Sequence, residues 1–118
     1  MQKENILKDK SFAFALRIVK AYKYLVEDKK EYVLSKQLLR SGTTIGALVC
    51  EAEYAQSTPD FISKMSISLK EANETEYWLL LLNKSDFIND EVFNSMILDC
   101  KELLKLLIST INTSKKNI

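Results

Sequence analysis

Ser57-Thr58-Pro59-Asp60 is the clearest helix boundary in this sequence. A capping hydroxyl, a proline at the first helical position and an acidic residue beside the positive end of the helix dipole are typical of a helix N-terminus. After the boundary, apolar residues recur at three- and four-residue steps as far as Lys84. We therefore predict a helix over residues 59–84.

The same periodicity predicts three more helices, over residues 11–28, 32–56 and 90–112. Ser11 is the expected N-cap of the first helix, and Phe12 is its first core position. Asn89 or Asp90 is expected to cap the last helix, and residues 113–118 are expected to form a polar tail.

Two Gly and one Pro in 118 residues leave few tight turns, which disfavours an all-β fold. The length suits one domain, and short connections place consecutive helices in opposite directions. The prediction is one all-α domain over residues 1–118, an antiparallel up-down-up-down four-helix bundle.

Composition excludes several classes of function. The chain carries 17 Lys plus Arg, 16 Asp plus Glu and no His, which excludes most hydrolase triads and carboxylate–histidine di-iron sites. Cys50 and Cys100 form no CxxC pair, so neither a zinc site nor a disulfide framework is expected. We expect no enzymatic activity, no catalytic residue, no metal and no cofactor.

The chain has no obvious targeting segment. Its first ten residues lack an apolar stretch, which argues against a signal peptide or a lipidation site. The uncharged stretch over residues 41–50 is far shorter than the roughly 18 residues that a membrane span needs. The expectation is a cytoplasmic protein without a membrane partner.

Gly42 and Gly46 lie four residues apart in the second predicted helix, where each costs about 1 kcal/mol relative to Ala. We interpret them as sites of close approach by a neighbouring helix. A loop that cradles phosphate is the less favoured alternative, because no Gly-Lys-Ser/Thr follows.

A hairpin of the second and third helices would place Arg40 near Glu71 or Glu74, and Glu51 near Lys64. We interpret these five residues as a structural polar network that fixes helix register. The alternative is metal-assisted hydrolysis by Glu51, Glu71 and Glu74 on the bundle interior.

Two surfaces are candidates for partners. Tyr77, Trp78 and Leu81 belong to an apolar run that leaves the end of the third helix without a polar face, which predicts contact with another subunit. Six basic residues are the candidate contacts to RNA or DNA: Arg17, Lys20, Lys23, Lys29, Lys30 and Lys36.

The ordered motifs Leu34-Ser-Lys-Gln-Leu-Leu-Arg40-Ser-Gly42-Thr-Thr-Ile-Gly46-Ala, Asp60-Phe61-Ile-Ser-Lys64 and Lys70-Glu71-Ala-Asn-Glu74-Thr-Glu-Tyr77-Trp78-Leu carry a family resemblance. They closely resemble the bacterial four-helix-bundle family of 23S rRNA-intervening sequence proteins, over roughly residues 9–110. The sequence departs from the family pattern at Leu48, where the family usually has Asn, and in its net charge of only +1.

The resemblance implies a non-enzymatic scaffold that assembles as a homopentameric ring. The accessory protein of diversity-generating retroelements, which is similar to this family, implies RNA or DNA as a partner, because it binds nucleic acid and a reverse transcriptase. A protein-binding adaptor without nucleic-acid affinity is the alternative.

Overall fold

The computed structural model describes residues 3–117, which form four helices and no strand, so the all-α prediction is confirmed. Met1, Gln2 and Ile118, which the predicted domain includes, lie outside the described residues. The helices are α1 (Lys3–Glu27), α2 (Leu34–Ala52), α3 (Thr58–Lys84) and α4 (Asp90–Lys116).

Local capping signals place the starts of α3 and α4. The Ser57 hydroxyl accepts a hydrogen bond from the backbone N–H of Asp60 at 3.2 Å, and the Asn89 side chain accepts one from Val92 at 2.8 Å. Each bond satisfies a donor that the first helical turn leaves free. These two boundaries are where the sequence predicted them, to within one residue.

The predicted start of α1 at Ser11 was wrong, since the helix begins at Lys3. Ser11 is 1% exposed, and its hydroxyl donates to the carbonyl oxygen of Lys8 at 3.1 Å instead of capping the helix. The helical turns before Ser11 are stabilised by Leu7, which is fully buried in the core. At the other end of the chain, residues 113–116 continue α4 and are not a polar tail.

Glu31 stabilises the start of α2 from outside the helix. The N-cap residue Val33 makes no side-chain capping bond, whereas the Glu31 carboxylate accepts from the backbone N–H groups of Val33, Leu34 and Ser35 at 2.6–3.1 Å. Burial opposes ionisation of this carboxylate, but the N–H donors outweigh it and lower the pKa of Glu31. Helix α2 spans residues 34–52, so the predicted helix over residues 32–56 was too long at both ends.

The helices pack around one hydrophobic core, in a molecule of 47 × 22 × 21 Å. Helix α1 contacts α2 and α4, and α3 contacts the same two helices. Phe14 and Ile18 are the large core residues in the middle of α1, whereas Phe12 is 65% exposed, so its assignment to the core was wrong. Periodicity did not separate these faces, because apolar residues occupy both.

Polar contacts connect neighbouring helices. Lys8 of α1 lies 2.8 Å from Glu53, just past the end of α2. The buried Ser68 hydroxyl of α3 donates to the carbonyl oxygen of Ile45 in α2 at 2.9 Å.

Within residues 3–117, no helix combines the length and the hydropathy that crossing a bilayer requires.

Candidate functional site

Arg17, one of the predicted nucleic-acid contacts, forms an ion pair with a carboxylate of α4. Its Nη1 atom lies 2.7 Å from Oδ2 of Asp99 and 3.5 Å from the carbonyl oxygen of Ser95. Surface ion pairs of this kind contribute about 1 kcal/mol or less. Since its guanidinium already has a carboxylate partner, Arg17 is a weaker candidate for a phosphate contact than an unpaired cation.

The five predicted lysines are exposed and form no ion pair with any described residue. Lys20 and Lys23 lie in the second half of α1, Lys29 and Lys30 in the α1–α2 loop, and Lys36 in the first turn of α2. They therefore lie toward the same end of the molecule. The exposed acidic residues 27 and 28 lie among them, so this surface carries both signs of charge.

Two aromatic side chains at this end were not singled out from the sequence. Tyr24 is 42% exposed and Tyr32 is 52% exposed, and both lie within the segment that carries the lysines. Exposed aromatic rings beside basic residues can stack with unpaired bases while the basic residues contact phosphate. The sequence signal that could have identified Tyr24 and Tyr32 as candidate contacts to bases is their position between lysines.

Arg40 connects α2 to α3 through two carboxylates. Its Nη1 atom donates to Oε1 of Glu71 at 3.0 Å, and its Nη2 atom donates to Oε2 of Glu74. The same Glu74 oxygen accepts from the indole N–H of Trp78 at 2.8 Å. The bonds from Trp78 and Arg40 lower the pKa of Glu74, and the two carboxylates raise the pKa of Arg40. The arrangement stabilises the charged forms, which suits a structural contact better than proton transfer.

The structure does not bring Glu51 and Lys64 together, so that predicted pair was wrong. Lys64 Nζ lies 2.7 Å from Oδ1 of Asp60, one turn earlier on the same helix. The bonds from Lys64 and from the backbone N–H of Gln56 lower the pKa of Asp60. The local pair forms because residues four apart on a helix are always neighbours, whereas a pair between helices depends on their exact register.

The carboxylates considered for metal-assisted hydrolysis do not line the interior. Glu51 is exposed, and Glu71 and Glu74 lie at the surface, where both accept bonds from Arg40. Among the side chains that the structure describes, in residues 6–117, no group of three or more from His, Cys, Asp or Glu could hold a metal ion. The interior placement that the alternative of metal-assisted hydrolysis requires is therefore not found for these three carboxylates.

Gly42 and Gly46 lie where α1 and α2 come close together. A Cβ atom at Gly42 would lie 2.7 Å from Cδ1 and Cγ1 of Ile18, and one at Gly46 would lie 3.3 Å from the backbone oxygen of Ser11. Any larger residue would therefore require α1 or its side chains to move. Both glycines are inside α2, so they form no phosphate-cradling loop.

The predicted subunit-interface residues differ in exposure. Tyr77 is 58% exposed, whereas Trp78 and Leu81 are half-buried in the subunit itself. The Tyr77 ring lies edge-on to Trp78, with ring centroids 5.1 Å apart and planes at 73°. A second apolar surface was missed in the sequence, since Phe12 is 65% exposed and Leu16 is 58% exposed on α1.

Comparisons with known proteins agree with this fold. The family model described as 23S rRNA-intervening sequence protein matches residues 3–109. A crystal structure from Bacteroides thetaiotaomicron VPI-5482, described as a protein with unknown function from the S23 ribosomal protein family, is 58% identical in sequence with a TM-score of 0.93. The match covers 94% of this chain and 99% of that one. No curated protein matches the sequence.

Proposed function

The chain belongs to the 23S rRNA-intervening sequence protein family, and from that premise we propose that it is a non-enzymatic scaffold built from several identical copies. The exposure of large apolar side chains on two helices carries this proposal. Phe12 and Leu16 on α1, and Tyr77 and Leu80 on α3, are each 45–65% exposed. Contact with another copy would bury these side chains, at a gain of about 25 cal/mol per Å² of apolar surface.

The proposed subunit is an antiparallel up-down-up-down bundle. Its support is the register of contacts between neighbouring helices: Lys8 meets Glu53, and Ile18 lies beside Gly42. In one direction along the bundle axis, residue numbers therefore increase in α1 and decrease in α2, as expected for antiparallel helices. The bonds between α2 and α3 follow the same inverse order, as short connections favour.

The proposed assembly is a homopentameric ring. The number five comes from the family resemblance of the motifs in α2 and α3. The presence of apolar surfaces on two different helices supports a ring, because a closed ring needs each subunit to present two distinct, complementary surfaces.

Light scattering on a sizing column tests the assembly. The expected mass is five times the 13.6 kDa of one chain. A mass of 13.6 kDa at micromolar concentrations would refute the scaffold proposal.

Nucleic-acid binding is a second proposed function, supported by the unpaired lysines near Tyr24 and Tyr32. We expect binding of single-stranded RNA or DNA at low salt that weakens steeply as salt rises, because phosphate contacts release counterions. Replacing Lys20, Lys23 and Lys29 by Gln should weaken binding at least tenfold.

The matched control replaces Lys105, Lys115 and Lys116 by Gln, which removes the same charge from exposed positions elsewhere that have no ion-pair partner among the described residues. An equal loss in the control would reject the lysine surface as a site. An assembly that binds no nucleic acid at low salt would favour the alternative function, a protein-binding adaptor.

A further inference from the structure

An apolar groove lies between α1 and α2 on the outer surface. It encloses about 460 Å³ and is lined chiefly by Phe12, Ala15, Thr43, Gly46, Ala47 and Cys50. It is open because the α2 residues along it are small and uncharged. Its volume is in the range of sites that hold a large side chain or small molecule.

Tyr77 on α3 has the properties of an anchor for such a groove. Its ring is exposed and lies against the Trp78 ring. The Trp78 indole N–H donates a hydrogen bond to the Glu74 carboxylate, which also accepts one from Arg40. The neighbouring Leu80 is also exposed on this helix. An aromatic side chain held by such contacts loses little conformational freedom on binding, and aromatic anchors dominate many interfaces.

The charges beside the two features have opposite signs. Lys70 and Lys84, before and after Tyr77 on α3, are exposed and unpaired within the described chain. Asp9 lines the groove and Glu51 follows Cys50, and both acidic side chains are exposed without an ion-pair partner among the described side chains of residues 6–117. Lys8, the cation lining the groove, is neutralised by Glu53 at 2.8 Å. This complementarity favours a second copy of the chain as the occupant of the groove.

We propose that the α1–α2 groove of one copy receives the Tyr77 side chain of the next copy. The backbones of α1 and α3 do not approach each other within residues 3–117, because the two helices lie diagonally across the core, so groove and anchor lie on different faces. Each copy then uses its groove for one neighbour and its Tyr77 for the other, and this head-to-tail pairing closes into a ring. The inference rests on the proposed self-assembly and adds the surfaces that meet.

Cysteine cross-linking tests this pairing. Cys50 is exposed in the groove, whereas burial raises the pKa of Cys100 to about 12 and its thiol donates to the Ala72 carbonyl. Cys50 is therefore the reactive thiol of the folded chain. An Asn73→Cys substitution adds a second one, one turn before Tyr77 on exposed α3 surface.

Mild oxidation of the assembled Asn73→Cys protein should produce a ladder of covalent species, from two subunits up to the full ring, on a non-reducing denaturing gel. The control Asn94→Cys puts the added thiol on exposed α4 surface and should leave monomers. A ladder that stops at dimers would overturn the head-to-tail pairing. So would equal cross-linking of the control.

The mass of the same samples before oxidation separates this inference from the proposed function. An oligomer without a Cys50–position 73 cross-link overturns only the pairing, whereas a monomer overturns both. A second variant, Ala47→Arg, fills the groove from an exposed position. It should reduce the mass to that of a monomer without lowering the helix content. The control Leu98→Arg, 70% exposed on α4, should leave the assembly intact.

Discussion

Replacing Gly42 by Ala tests whether a missing side chain sets the spacing of α1 and α2. The added methyl would lie 2.7–2.9 Å from three side-chain carbons of Ile18, whereas carbon atoms in contact are normally about 3.5–4.0 Å apart. Ile18 is fully buried, so its side chain has little room to move. We expect Gly42→Ala to destabilise the protein, although alanine is the better helix former.

Two opposing terms set the magnitude. Helix propensity favours alanine by about 1 kcal/mol, and overpacking a core costs about 1–3 kcal/mol. The expected net loss is about 1 kcal/mol, from the difference of those two terms. In an Ile18→Ala background, which itself costs about 2–5 kcal/mol, the clash is absent and Gly42→Ala should stabilise by about 1 kcal/mol. The coupling between the two positions is then about 2 kcal/mol.

The assay is urea denaturation followed by circular dichroism, at one fixed protein concentration because assembly contributes to stability. Ala13→Gly, at an exposed position of α1 outside the groove lining, measures the propensity term separately. If Gly42→Ala stabilised the wild-type and Ile18→Ala proteins equally, the contact between positions 18 and 42 would not set the helix spacing.

Three further results are expected. Glu31→Gln should lower the free energy of unfolding by about 1 kcal/mol at neutral pH. Because the folded-state pKa of Glu31 is lowered, this stabilisation is present above the ordinary carboxyl range and should be lost as the pH falls through the folded-state pKa, which urea titrations at several pH values would show. A thiol reagent should label Cys50 faster than Cys100, which should react only as fast as the protein unfolds, because the Cys100 thiol is buried with a pKa of about 12; equal rates in the folded protein would contradict the buried placement. Arg17→Gln should change RNA affinity less than Lys23→Gln does, since Arg17 is already paired with a carboxylate; a larger effect of Arg17→Gln in a filter-binding titration would mean that this pair opens on binding.

Sequence reasoning succeeded where the determining contacts are local. Ser57 and Asn89 cap helices through bonds to residues three positions later, so their signals lie within one turn of sequence. Ser11 carries the same kind of signal, yet it lies inside α1. Its burial beside Gly46 depends on a residue 35 positions away, which no local pattern contains.

The candidate sites show the same division. The charged residues of the first ten look like a solvated end of the chain, but Lys8 and Lys10 pair with Glu53 and Glu102, which only the packed fold brings near. Phe12 follows an apolar spacing that fits either side of α1. The exposed surface it forms became visible only when the fold showed that Phe14 and Ile18 occupy the core.

The small residues of α2 have a consequence for mutational tolerance. Gly42 and Gly46 limit side-chain size on the side that meets α1, and Thr43 and Ala47 limit it on the side that borders the groove. A saturation screen read by folding should therefore be sensitive at positions 42 and 46, while one read by self-association should be sensitive at all four. On the groove side of the pairing, sequence change that alters partner choice without loss of fold is then expected at positions 43 and 47 and on the exposed side of α1.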